Sequence, residues 1–330
     1  MFKRIPLELF FKIFARLPVK SLLQSRRVCK SWNALISSPS FVSAHLDWNA
    51  RKSAGGYGGY LLISTSNAEC LSLFCAQTYV KCLDFELPRD LISFGFSVFS
   101  SCSDLVCISD ATFDNCTYLW NPSIRKMKRP QMPHLLHAIR YHYTRCIREA
   151  EVYSLRLDSW RRIRSSVPPV SHNAYFQDRS ACLNGVVYWI VEDFSPRCYS
   201  ILSFDLRSES FQTMTLPERL VIFMYSRNLS LFHLRQNVND RYCNIWVLGR
   251  DTWKMIRTII LPRSGEIAWP LGITTKDEVH LAAGKENWHS RELVLYDPKS
   301  QQVKDTGIEL SFYGLSRYIE VYNESLVLLD

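Results

Sequence analysis

Apolar side chains recur at helical spacing between Ile5 and Phe41. From Tyr60 onward they come in short runs broken by Pro, Asn, Asp, Ser and Gly, so the patterning changes from helical to extended. In the first stretch Leu7, Phe10, Phe11 and Phe14 mark one face of a helix, with Pro6 suited to its first turn and Pro18 stopping it. Val19, Leu22 and Leu23 give a second short apolar face, and Trp32, Leu35 and Ile36 a third. Ser38 followed by Pro39 predicts a cap opening a last turn. Three or four short amphipathic helices within residues 1–46 carry more apolar surface than so small a module buries alone. That surface requires either the chain's own downstream domain or another protein.

The extended part predicts an all-β domain over residues 60–330 with an internal repeat: an aromatic residue followed seven positions later by a second bulky one across a polar turn. Trp120 and Met127, Tyr153 and Trp160, Phe204 and Phe211, Trp246 and Trp253, and Tyr296 and Val303 are the pairs, each predicted to face one another across a hairpin. Successive anchors from Tyr153 to Phe204, Trp246 and Tyr296 lie 51, 42 and 50 residues apart, room for about four short strands each. This favours a propeller of repeated hairpins. A β-sandwich also uses such hairpins but does not require the recurrence. In a closed propeller the strand from Tyr60 pairs with one between Ile319 and Leu329, removing exposed edges.

Between the two parts, residues 47–59 read as a linker that ends in Gly55-Gly56-Tyr57-Gly58-Gly59. No Lys-Ser or Lys-Thr follows these glycines and a strand comes next, so neither a phosphate loop nor a dinucleotide fingerprint is present.

Charge adds a direction. Lys3, Arg4, Lys12, Arg16, Lys20, Arg26, Arg27 and Lys30 are opposed only by Glu8 within residues 1–30, which places most of the formal net charge of +9 on the helical module. An acidic partner is steered towards it. Nucleic acid is not expected, because no helix-turn-helix spacing or aromatic stacking series accompanies the basic residues. A signal peptide or membrane span is not expected either, since Glu8, Lys12 and Arg16 interrupt the apolar stretch.

Eleven cysteines are scattered through the 330 residues without Cys-x-x-Cys spacing, which predicts reduced thiols, no zinc site and a reducing compartment, cytoplasm or nucleus. No catalytic constellation emerges: there is no Gly-x-Ser-x-Gly elbow and no His-x-x-x-His pair on a helix, so the chain is read as non-catalytic and without cofactors. His280 and His289 flank a turn as the one candidate histidine pair. Trp160, Trp189, Trp246, Trp253, Trp269 and Trp288 either line a sugar site or fill the layers between blades, and inter-blade packing is the commoner use.

Pro6-Leu7, Ile13, Leu17-Pro18-Val19-Lys20-Ser21-Leu22 and Val28-Cys29-Lys30-Ser31-Trp32 resemble the F-box of plant F-box proteins. The later segments Ser101-Cys102-Ser103-Asp104-Leu105-Val106-Cys107, Leu119-Trp120-Asn121-Pro122-Ser123-Ile124-Arg125-Lys126, Val152-Tyr153-Ser154-Leu155 and Leu183-Asn184-Gly185-Val186-Val187-Tyr188-Trp189 resemble the kelch-like F-box-associated domain. The resemblance implies a substrate-recognition subunit of a Skp-cullin-F-box ubiquitin ligase. The F-box would contact an acidic Skp-type adaptor, and through it a cullin scaffold, by Pro6, Leu7, Ile13, Leu17, Pro18, Val28, Cys29 and Trp32. The β-domain would recruit an unidentified protein substrate. Two departures stand out: Asp104 replaces the family's glycine, and a His- and Arg-rich run, His134 to Arg148, occupies an interval too short for the family pattern, so one blade is expected to lack a strand around 130–149. The alternatives are a glycan-binding, lectin-like module and a relative that has lost adaptor binding.

Overall fold

The computed structural model describes residues 7–54, 59–64, 70–89, 91, 96–102, 105–110, 117–130, 151–155, 157–163, 174–194, 197–216, 221–225, 228–236, 241–249, 252–261, 269–274, 276–284, 291–310 and 319–327. Pro6, residues 55–58, Asp104, residues 131–150, Trp288 and His289 lie outside them.

Four helices come first: α1 (Leu7–Phe14), α2 (Val19–Ser25), α3 (Lys30–Ile36) and α4 (Pro39–Ala54). Pro18 occupies the N-cap position of α2, and α1 ends ahead of it through tight turns in which the Arg16 and Leu17 amides donate to the Ile13 and Phe14 carbonyls. Ser38 caps α4, its hydroxyl accepting from the Phe41 amide at 3.3 Å. What the cap opens is a 16-residue helix, longer than the single turn expected, and it takes in residues 47–54 from the segment read as a linker. The helix continues because Phe41 and His45, one turn apart, are both buried on the helical module and nothing before Gly55 breaks the turn.

The β part is a propeller. Among the described residues, five four-stranded antiparallel sheets and one two-stranded sheet follow. Sheet I joins β1 (Tyr60–Ser64), β2 (Cys70–Cys75) and β3 (Lys81–Glu86) to the last strand, β22 (Ile319–Tyr322). Sheet II is β4 (Phe96–Cys102), β5 (Leu105–Asp110), β6 (Thr117–Asn121) and β7 (Lys126–Lys128), and sheet III is β8 (Glu151–Ser154) with β9 (Ser159–Arg162). Sheet IV contains β10 (Ala174–Leu183), β11 (Val186–Phe194), β12 (Arg197–Asp205) and β13 (Ser210–Leu216). Sheet V contains β14 (Val221–Tyr225), β15 (Asn228–Gln236), β16 (Arg241–Leu248) and β17 (Trp253–Ile260). Sheet VI contains β18 (Trp269–Ile273), β19 (Val279–Ala283), β20 (Arg291–Asp297) and β21 (Gln302–Leu310).

As the sequence predicts, the strand from Tyr60 pairs with the C-terminal one, with Tyr60 opposite Tyr322 and Ile63 opposite Ile319. The last strand thus completes the first sheet and closes the ring. The first strands of sheets II, IV, V and VI and the terminal strand β22 are innermost: β10 runs alongside β4 and β14, and β18 alongside β14 and β22. Sheet III has two strands among the described residues. It sits between sheets II and IV, whose innermost strands already meet.

The repeated hairpins take one form. Trp120 faces Met127, Tyr153 faces Trp160, Phe204 faces Phe211 and Tyr296 faces Val303 across four-residue loops. Each loop ends on a non-glycine residue in the left-handed region: Arg125 at φ 55°, Asp158 at 49°, Glu209 at 53° and Gln301 at 58°. Trp246 does not face Trp253. There the loop begins one residue later, pairing Leu248 with Trp253 and Trp246 with Met255, so the two tryptophans are diagonal neighbours.

Between blades the core is continuous. Leu62, Leu73, Val106, Ile108, Trp120 and Tyr322 join sheets I and II, and Ile190, Ile201, Leu216, Leu229 and Leu231 join IV and V. Phe232, Ile245, Ile259, Leu281 and Tyr296 join V and VI, while Leu61, Phe74, Ala282, Leu293 and Ile319 join VI and I. The tryptophans follow this pattern: Trp120 is 2% exposed, and Trp189, Trp246 and Trp253 pack half-buried on these clusters. His280, one half of the candidate histidine pair, is buried in β19, where its Nε2 lies at hydrogen-bond distance, 3.0 Å, from the Tyr79 hydroxyl and ties sheet VI to sheet I.

Burial holds the His280 imidazole down to about 4 and, with the Glu278 carboxylate adding to it, pushes the Tyr79 phenol up to about 12. Because the unfolded histidine titrates near 6.5, the unfolded chain takes the proton first as pH falls. Stability is therefore full above about pH 6.5 and declines towards pH 4 by up to about 1.4 kcal/mol per unit from this residue. Denaturant melts at pH 7 and pH 5 should show a smaller loss for His280→Gln, which keeps the acceptor for Tyr79 but does not titrate.

Candidate adaptor-docking surface

The helical module is held together from inside by aromatic rings. Phe14 and Trp32 meet edge-on with centroids 4.9 Å apart, Phe10 lies 5.4 Å from Trp32, and Phe11 meets Phe41 edge-on at 5.2 Å. Phe14, Val19, Leu22, Ile36 and Phe41 are fully enclosed. Two residues from far along the chain, Ile124 and Leu326, complete this cluster, so the module is seated on its own propeller. Both sources of burial that the sequence left open are thus in play, because one face is sealed by the chain itself.

The opposite side is not sealed. On α1, Leu9 and Ile13 are four residues apart on one face and are 48% and 51% exposed, with exposed Lys12 beside them. Val28, between α2 and α3, is 65% exposed. Exposed Arg16, Lys20, Arg27 and Lys30 surround these positions in sequence, and the Arg16 guanidinium lies over the Trp48 ring at 5.0 Å. The module therefore offers apolar side chains in a basic setting.

The residues expected to contact an adaptor divide between the two sides. Ile13, Pro18, Val28 and Cys29 are exposed. Leu17 and Trp32 are half-buried and pack on the internal cluster, their motif positions reflecting the module's own core. Leu7 begins α1, and Pro6 lies outside the described residues. Cys29 stands just before α3, where a hydrogen bond with the Ser31 hydroxyl at 3.1 Å and the Trp32 backbone amide hold its thiol below the usual range. Leu9 was missed by sequence reasoning, although its spacing of four from Ile13 was available; the stronger Phe10, Phe11 and Phe14 stripe masked it.

Residues 61–323 match the F-box associated beta propeller domain family, and residues 2–43 match the F-box domain. The chain belongs to the F-box proteins that carry an F-box-associated β-propeller. Among its relatives in Arabidopsis thaliana, F-box/kelch-repeat protein At3g23880 is 28% identical over 245 residues, covering 64% of this chain and 65% of that one. Probable F-box protein At1g14315 is 25% identical over 336 residues, covering 98% of both. The chain thus spans just under two thirds of the first relative's length and nearly all of the second's. Of the solved structures, the β-propeller domain of the Trilobed protease from Pyrococcus furiosus aligns with TM-score 0.35 and 10% identity over 75% of this chain and 71% of that one. The family assignment rests on the sequence matches.

The two sides of the module should respond differently to truncation. Trp32→Ala is expected to cost the helical module about 2–3 kcal/mol, because it removes a large side chain from between Phe10 and Phe14. Ile13→Ala and Val28→Ala should stay within about 0.5 kcal/mol. Thermal melts of the full chain followed at a helical circular-dichroism wavelength separate the two classes.

Proposed function

We propose that this F-box protein is the substrate-recognition subunit of a Skp-cullin-F-box ubiquitin ligase. The observation that carries the reading is a helical module whose inner face is sealed against its own propeller while Leu9, Ile13 and Val28 remain in solvent among basic residues. Such a surface suits an acidic, partly apolar partner, and a Skp-type adaptor fits that description in a chain with an F-box. Cys29 adjoins Val28 in sequence, Pro18 is exposed at the start of α2, and Leu7 starts the helix that carries Leu9 and Ile13.

In this reading the adaptor links the chain to a cullin scaffold, and the propeller holds a protein substrate in reach of a separate ubiquitin-transferring enzyme. The chain contributes by positioning and performs no chemistry itself. The proposed setting is cytoplasmic or nuclear, in keeping with free thiols at Cys29, Cys70, Cys75, Cys82, Cys107, Cys182, Cys198 and Cys243.

Gel filtration of the full chain mixed with a plant Skp-type adaptor tests the proposal. A stoichiometric complex is expected, and Leu9→Asp with Ile13→Asp should weaken it by on the order of a hundredfold while the melt stays near that of the parent. A folded parent chain that elutes apart from the adaptor, or a variant that binds as tightly as the parent, would sink the idea.

A further inference from the structure

The five residues after β22 touch three separate parts of the molecule. The Glu324 carboxylate accepts from the Val19 backbone amide at 3.1 Å, at the start of a helix whose own N-cap residue, Pro18, supplies no side-chain cap. The Glu324 carbonyl accepts from the Asn49 side chain of α4 at 3.0 Å. Asn49 also lies 3.3 Å from the His45 ring, whose other nitrogen is 3.0 Å from the Leu17 carbonyl. Leu326, 2% exposed, is part of the helical module's core.

On the other side, the Asn121 side chain of β6 donates to the Ser325 and Val327 carbonyls at 3.1 and 2.9 Å. The Ser325 amide donates to the Ser123 hydroxyl at 3.0 Å, which in turn lies 2.7 Å from the Tyr322 hydroxyl. Tyr322 itself ends β22 and donates to Asn121 at 3.1 Å. Asn121 and Ser325 are fully buried, so these bonds are shielded from competing water.

We infer that residues 323–327 are the joint that fixes the F-box module on the propeller, and that the module's seating and the closing of the ring open as one cooperative unit. The physical reason is continuity. The same strand end that completes sheet I supplies the missing cap of α2, the bond to α4 and a core side chain of the module. Withdrawing β22 from β1 strips all three from the helices. Conversely, helices seated on Glu324 and Leu326 restrain the strand against fraying, which chain ends otherwise do readily. The inference concerns this chain's own architecture and stands apart from adaptor binding, since neither Leu9 nor Ile13 is among the residues that the joint touches.

Native-state hydrogen exchange on the full chain, followed across rising denaturant, tests it. In the parent, amides of α2 and of the second half of α4 are expected to converge with those of β22 and β1 on one opening free energy. In Glu324→Ala with Leu326→Ala, exchange at the start of α2 should quicken on the order of fivefold or more, and α2 should open below β1 while sheets IV and V keep their protection. Parent α2 amides that open at far lower denaturant than β22, or unchanged α2 protection in the variant, would overturn the joint. The parent measurement decides the matter even where the variant fails to fold.

Discussion

A ring of sheets leaves exposed strand edges unless its two ends meet, and here they meet through the hydrogen bonds between β1 and β22. Ile319 and Tyr322 are an odd number of residues apart and point to opposite faces of that strand. Ile319 enters the core shared by sheets VI and I, and Tyr322 the core shared by I and II. One four-residue strand therefore contributes to the packing on both sides of the seam. Loss of the strand would expose the edge of β1 and open two apolar interfaces together, which is why the rest of the fold depends on it.

Sheet III shows how a hairpin can be held between two neighbouring blades. Beside sheet III the innermost strands β4 and β10 run next to one another, so closure of the inner ring does not rely on β8 and β9. The hairpin is held from its flanks: Lys128 pairs with Asp158 at 2.9 Å, Arg161 pairs with Glu209, and Ile163 and Val152 pack with Phe204 and Phe211. The ion pairs are largely solvent-exposed and orient the hairpin more than they stabilise it. The apolar contacts carry the attachment. The expectation of a missing strand falls on 130–149, where all but Pro130 lie outside the described residues.

The helical module divides its apolar residues between two tasks. Phe14, Leu22, Ile36 and Phe41 are used up internally and against Leu326, whereas Leu9, Ile13 and Val28 are left over. Leaving large aliphatic side chains in water costs solubility, and their retention beside basic groups is what gives the module the character of a docking surface. A motif read as a list of contact residues merges the two sets. Leu17 and Trp32 belong to the fold of the module, and Ile13 and Val28 to its outer surface.

Local patterning determined the helices, the hairpins and the change from one to the other, because each depends on side-chain periodicity or on nearby turn residues, and the pairing of the first and last strands of the β part followed from the closed propeller that the repeat implied. The repeat also disclosed that the β part is a propeller. Tertiary structure alone decided which apolar face of the helices is free, since that depends on Ile124 and Leu326, which lie roughly 80 and 280 residues further along the chain. It also decided that His280 is a buried hydrogen-bond partner of Tyr79, and that α2 is capped by Glu324, 305 residues away. A single sequence holds these residues but not their proximity, and it is proximity that assigns each its role.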